Sequence, residues 1–299
     1  MSRLRVAAFL SGGPIALRAL DALAATHQVA VIVRPRSALP LRSAWRGPAL
    51  RAVRALGLRP ADPVDAWAGA AGVPIVWSAA GDEPRTAERI RSFAPDFGCI
   101  ATYPRRIPDA LLAASGRACV NLHPSLLPRH RGANPLFWTY HAGDLEGGVT
   151  IHLATSRLDG GAILLQERFP IGRGESVVDV HARGATRGGA LLARAVTQLA
   201  EGNTDPQDQD EAAATAAPSP VTGRCYAELA TWSCAQAWHF LAGLLARYRE
   251  PFVDSAGAPV PYTRVNGYEE REPRFAPGSV VREGAGWTAW TPDGVVRVS

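Results

Sequence analysis

Leu4-Arg-Val-Ala-Ala-Phe-Leu10 runs directly into Ser11-Gly-Gly-Pro14 and then Ile15-Ala-Leu-Arg-Ala-Leu20. A short apolar run reads as a strand, paired glycines supply the dihedrals of a tight turn, and a proline suits the first position of a helix. The apolar run is too short for the core of a signal peptide. The same pattern repeats downstream, where apolar runs at residues 29–33, 73–77, 97–101 and 119–123 each adjoin a helical pattern. Two more, at 149–154 and 162–169, precede a helix over about 177–200. Strands alternating with helices predict an α/β fold, Rossmann-like, with a parallel-rich twisted sheet covered on both faces. The first turn lacks G-x-G-x-x-G, which argues against a dinucleotide site.

The composition narrows the chemistry. With 47% hydrophobic residues in 299, the chain can bury a sizeable core. All 32 basic residues are arginine. The lack of lysine excludes a Schiff-base lysine and a phosphate loop ending in Lys-Ser/Thr. Cys99, Cys119, Cys225 and Cys234 form no C-x-x-C pair, so neither a disulfide framework nor a metal site is expected, and a reducing cytoplasm is the expected location. Seven arginines and no acid lie between Arg34 and Arg59, more than the formal net charge of +5, so the excess is local. Within that stretch Pro48 and Gly57 bracket an expected helix with Leu50, Val53 and Leu56 inward and Arg51 and Arg54 outward, either a solvated face or a contact for an anionic partner.

After residue 200 the pattern changes. Glu201 to Pro220 is acidic, proline-containing and without periodicity, the signature of a linker. Residues 229–246 are uncharged but carry Thr231, Ser233, Gln236 and His239, which makes a soluble helix a better reading than a membrane span. Ser233 and Gln236 have the spacing of a capping box. Short apolar runs follow at 260–264, 278–281, 287–290 and 295–298, implying a small β domain. We therefore divide the chain into a catalytic α/β domain (1–203), a linker (204–221) and a C-terminal β domain (222–299). Trp232, Trp238, Trp287 and Trp290 fill its core or form an apolar interface, and the expected state is a monomer or homodimer.

The chemical groups concentrate between Asn121 and Asp159. Alternation along a strand puts Asn121 and His123 on one side, at the carboxyl end of a parallel strand where open sheets bind ligands. Ser125 lacks a G-x-S-x-G elbow and reads as a turn or capping residue, and the role of His152 is open.

Asn-Leu-His-Pro-Ser-Leu-Leu-Pro-Arg-His-Arg-Gly (121–132), Gly-Val-Thr-Ile-His (148–152) and Leu-Asp-Gly-Gly-Ala-Ile-Leu (158–164) together closely resemble the active-site signature of the folate-dependent formyltransferases. The resemblance covers about residues 4–200 and, more weakly, the C-terminal segment, which is similar to the small open, OB-like barrel of the methionyl-tRNA and amino-sugar enzymes. It implies 10-formyltetrahydrofolate as formyl donor and a catalytic trio of Asn121, His123 and Asp159. Either the Asn121 amide or a protonated His123 would stabilise the tetrahedral oxyanion. Asp159 would hold the imidazole or accept a proton through water. No metal is implied. The implied donor-binding residues are Tyr103, Ile107, Pro124, Ser125, Leu126, Leu158 and Gly160. Tyr103-Pro104-Arg105-Arg106 departs from the Tyr-Gly of the methionyl-tRNA enzymes, and Pro104 has no N–H to offer. Arg105 or Arg106 is expected to meet the folate glutamate tail.

The resemblance leaves the acceptor open. A small-molecule amine, such as an amino-sugar nucleotide or an amino-acid-derived metabolite, is the first reading, because the C-terminal segment is shorter than the barrel of the tRNA enzymes. Initiator methionyl-tRNA is the second, supported by the arginine stretch and the sequence pI of 9.4. Hydrolysis of the donor and folate binding without catalysis follow. No membrane partner is expected.

Overall fold

A computed structural model describes residues 3–36 and 62–299. The arginine-rich helix expected between Pro48 and Gly57 lies outside these residues. Seven strands form one sheet: β1 (Arg5–Leu10), β2 (Gln28–Pro35), β3 (Ile75–Ser78), β4 (Phe97–Ala101), β5 (Ala118–His123), β6 (Glu146–Leu153) and β7 (Ile163–Pro170). Their order is β3-β2-β1-β4-β5-β6-β7. The first five pair in parallel, and β6 runs antiparallel to β5. Among the described residues the helices between and after them are α1 (Pro14–Thr26), α2 (Pro63–Ala71), α3 (Glu83–Arg91), α4 (Asp109–Ala113), α5 (Pro135–His141) and α6 (Val177–Glu201). This is the Rossmann-like architecture that the strand-helix alternation predicts.

The opening turn forms as read. Gly12 and Gly13 have φ of 149° and 86°, a region that side chains with a Cβ rarely occupy, and Pro14 begins α1. Ile15, Ala16, Ala19, Leu20 and Leu23 of α1 are buried at helical spacing. Each fully buried leucine or isoleucine contributes about 1.5–3 kcal/mol relative to exposure. Helix α6 approaches closely through a glycine pair. A Cβ on Gly189 would lie 2.6 Å from the Arg18 carbonyl oxygen, and one on Gly188 would lie 2.5 Å from Leu122. On β1 and its neighbours, Ala7, Phe9, Val31, Val33, Val76 and Ile90 belong to a continuous buried cluster.

The remaining helix and strands are α7 (Cys234–Leu244), β8 (Val265–Glu270), β9 (Val280–Glu283), β10 (Gly286–Thr291) and β11 (Gly294–Val298). They form an antiparallel sheet in the order β8-β11-β10-β9 with Trp290, Val295 and Val296 fully buried. The run at 260–264 is not one of these strands; β8 starts at Val265. Ser233 caps α7 by accepting from Gln236 N at 3.1 Å, but the reciprocal half of the expected box is missing. Gln236 instead donates to the His141 carbonyl, and Asp293 accepts from Cys234 N at 2.8 Å. No helix among the described residues is long and apolar enough to cross a membrane.

By internal contacts the chain forms two compact units that do not follow chain order. One comprises Met1–His123, Val149–Glu167 and Ala185–Gln209, the other Pro124–Gly148, Arg168–Gly184 and Asp210–Ser299. The aperiodic stretch after α6 is tied down in both: Gln207 bridges to Ile163 in the first, and Ala216 to Arg131 in the second.

Candidate active site

Between β1 and β4 the order of the strands reverses, and open α/β sheets bind ligands at the carboxyl ends of the strands beside such a point. The loops there are locally strained. Thr102, directly after β4, has φ of 62°, and its hydroxyl donates to the Gly12 carbonyl at 3.1 Å.

β5 ends in this region and carries Asn121 and His123 on one face, while Leu122 turns the other way against Gly188. The antiparallel register with β6 sets His152 opposite Asn121 and Thr150 opposite His123. Asp159 follows in the loop from β6 to β7, buried and with φ of 47°. Its Oδ1 accepts from Asn121 Nδ2 at 3.2 Å and lies 3.6 Å from His152 Nε2. Its Oδ2 lies 3.6 Å from His123 Nδ1. The structure thus brings the three expected catalytic residues together and adds His152, which sequence reasoning left without a role.

Donor and acceptor rules indicate which tautomer of His152 fits its contacts. Its Nδ1 is 2.9 Å from the Leu153 carbonyl oxygen, which can only accept, so Nδ1 carries the proton. In that tautomer Nε2 is an acceptor, and Asn121 Nδ2 donates to it at 3.0 Å. Both N–H groups of the Asn121 amide are therefore used, one on His152 and one on Asp159. Its oxygen is the amide atom these two contacts leave over.

Asn121, His152 and Asp159 line a cavity of about 90 Å³ together with Tyr103, Ile107 and Leu158. Leu158 is 60% exposed at its edge, and Arg105, Arg106 and Arg157 also line it. Arg105 donates to the Ser78 carbonyl at 2.9 Å, and Arg106 pairs with Asp109. Gly160 stands next to Asp159 in the same loop. Pro124, Ser125 and Leu126 open the second unit. There the Ser125 hydroxyl donates to the Arg129 carbonyl at 2.7 Å, closing a turn.

Two thiols nearby are not nucleophiles. Burial pushes Cys119 of β5 up to about 12, and burial together with Cys119 raises Cys99 well above the usual thiol range. No group of three or more His, Cys, Asp or Glu side chains with metal-binding geometry occurs among the described residues.

Residues 4–196 match the family description "Formyl transferase". The chain belongs to this family. A methionyl-tRNA formyltransferase of Bordetella petrii is 33% identical over 304 residues, covering 94% of this chain and 86% of the relative. One from Anaeromyxobacter dehalogenans is 38% identical over 70% of this chain, and one from Pelobacter propionicus 41% over 44%. These last two alignments span 64% and 41% of the relatives' own lengths. Among solved structures, a Helicobacter canadensis N-formyltransferase, in complex with folinic acid and dTDP-3-aminofucose, superposes with a TM-score of 0.67 at 13% identity, covering 100% of this chain and 99% of that one. Glycinamide ribonucleotide transformylase 1 from Symbiobacterium toebii gives 0.52 at 24% identity, covering 70% and 95%. At such identities the superpositions bear on the fold. Within this family member the site residues on β5, on β6 and in the Asp159 loop all fall inside the matched segment, and the antiparallel sheet of β8 to β11 falls outside it.

Proposed function

We propose that the protein transfers a formyl group from 10-formyltetrahydrofolate to the primary amine of a small-molecule acceptor. The observation that carries this reading is that Asn121 and Asp159 line one cavity, with His123 3.6 Å from the Asp159 carboxylate, in a member of the formyl transferase family. The cavity suits a folate pterin in kind. Ile100, Ile107 and Leu112 give apolar walls, Asn121 and Asp159 a polar end, and the buried Tyr103 hydroxyl has no partner among the described residues.

The donor, when bound, supplies the formyl carbon, whose attack by an amine develops an oxyanion. Asn121 can donate to that oxyanion only by giving up Asp159 or His152. A protonated His123 needs no such exchange at Asn121, so we assign His123 the stabilising proton and its later delivery to the leaving nitrogen as the bond from the formyl carbon to the donor breaks; the imidazole left neutral then takes up the proton that the attached amine must lose. Asp159, 3.6 Å from His123 Nδ1, holds the imidazole and favours its charged form. Asn121 offers its amide oxygen to an N–H of the incoming amine.

For the acceptor, the charge of the segment after residue 200 favours a small amine, although the arginine stretch at 34–59 favours an anionic one. Residues 222–299 contain eight arginines and eight acids, and residues 201–221 contain five acids and no arginine. A segment that grips RNA carries an excess of positive charge. The second reading, initiator methionyl-tRNA, rests on the sequence relatives, which are methionyl-tRNA formyltransferases. Release of tetrahydrofolate, followed spectrophotometrically with amino-sugar nucleotides, amino-acid derivatives, charged initiator tRNA or buffer alone, separates these readings. Activity with tRNA only would overturn the small-amine assignment, and release in buffer would mean hydrolysis. His123→Ala is the control.

A further inference from the structure

Between α6 and a 3-10 turn at Glu211–Ala213, the chain from Asp205 to Asp210 has no helical or strand periodicity, and all of it except Gln209 is exposed. Gln207 forms a two-bond bridge with Ile163: Ile163 N donates to its carbonyl at 2.8 Å, and its own N donates to Ile163 O at 2.9 Å. Ile163 is the first residue of β7 and stands immediately after the Asp159 loop. The bridge therefore lays the next residues alongside that loop. Gln209 Nε2 donates to the carbonyl oxygens of Asp159 and Gly161, each at 2.8 Å.

The loop needs this hold at one particular place. Its neck is closed by Leu153 N donating to Ala162 O at 2.9 Å, and by Gly161, where a Cβ would collide with the Leu153 carbonyl oxygen. Its apex holds Asp159 in the left-handed region at φ 47°, which a residue with a Cβ adopts only when its surroundings impose it. One carboxamide has two N–H groups and takes the carbonyl of the apex residue itself and that of Gly161, two residues on. It brings no charge to the carboxylate beside it.

We propose that Gln209 is a positioning residue for Asp159. It sets the loop backbone so that the carboxylate reaches Asn121 and His123 together, and the stretch after α6 is thereby part of the site. The proposal rests on the formyl-transfer reading of that site.

The test compares Gln209→Ala and Gln209→Glu with the wild-type full chain. Glutamate keeps the length and removes both donors. Both variants should lower kcat about tenfold to a hundredfold, the scale of an ångström's misplacement, with the acceptor KM within about twofold. The pH limb of kcat set by the His123–Asp159 pair should also move, and amide exchange over residues 157–162 should accelerate. Unchanged exchange in both variants overturns the proposal, as does faster exchange with kcat and its pH limb left as in the wild type. Retained kcat in Gln209→Glu alone overturns it too, because the donors would then be dispensable. A wild-type protein that binds the folate without turnover would sink the formyl-transfer reading instead. Exchange in the loop would then still decide whether Gln209 holds it.

Discussion

The end of β5 and the loop between β6 and β7 deliver neighbouring functional groups by opposite means. On β5, Asn121 and His123 are placed by strand geometry alone: a period of two puts them on one face, and pairing with β4 and β6 fixes their height. In the loop, Asp159 depends on a strained dihedral, a glycine neck and a side chain from 50 residues downstream. Groups on regular elements are held by many cooperative bonds, whereas a loop-borne group is held by a few separable ones. The first arrangement is robust to single changes away from the site, and the second is open to them.

The contrast orders the expected effects. His123→Ala removes the acid-base group itself and should lower kcat by at least about a hundredfold with the fold intact, read by steady-state kinetics with circular dichroism as control. Asp159→Asn keeps the loop and its size but removes the charge facing His123, so its loss should be smaller, about tenfold to a hundredfold, with the kcat pH limb displaced. Equal losses in the two variants would mean that Asp159 takes a proton itself and is more than an orienting group. His152→Leu leaves one Asn121 N–H without its partner. A buried donor stranded in this way costs about 1–3 kcal/mol of stability. It should also free the amide to rotate, with kcat falling about tenfold, and His152→Gln should restore much of both by supplying an acceptor.

Titration outside the site gives a further way to separate the regions. In the second unit, burial lowers His239 to about 4, and burial followed by the charge of Arg247 lowers His181 to about 4. His239 is fully buried, stacks on Tyr140 at 4.7 Å and accepts from Gly174 N at Nδ1, so a proton there has no place. Both histidines bind protons more readily when unfolded, so between pH 6.5 and about 4 the unfolded state holds more protons. Stability is therefore complete above pH 6.5 and declines as the pH falls through that window. His239→Asn keeps an acceptor toward Gly174 and should flatten the slope of Tm against pH between 4 and 6.5. Asp144, lowered by His130 and Arg129 against its burial, acts in the opposite range, losing its contribution only below about pH 4. A wild-type Tm independent of pH over 4–6.5 would refute the buried-neutral assignment of both histidines.

What the sequence disclosed follows the same division. β1, β4, β5 and α6 were legible because periodicity and bounding glycines are local signals, and Asn121 and His123 share a face by arithmetic. The opposition of Asn121 and His152 was hidden because register between strands is a tertiary property, and so the role of His152 stayed open. Gln209 was invisible for a stronger reason. It lies in a stretch whose acids, alanines and prolines carry no period, and its partners are backbone carbonyls, which leave no trace in side-chain identity. The half-formed capping box at Ser233 shows the converse, since Gln236 had the right spacing and tertiary structure gave its amide to His141.

The smallest expected effect sharpens the comparison from the turn that leaves β5. Ser125 follows His123 by two residues and is buried, and a hydroxyl so placed invites a chemical role. Its oxygen is committed as donor to the Arg129 carbonyl, four residues on, while Arg129 N returns to the Leu126 carbonyl at 3.0 Å. The hydroxyl thus closes a turn. Ser125→Ala should lower stability by about 0.5–1.5 kcal/mol, the net value of one such bond, with kcat within about twofold. A loss of kcat near that of His123→Ala, at unchanged Tm, would show that strand geometry carries the chemistry two residues beyond His123 and that the turn itself belongs to the reacting centre.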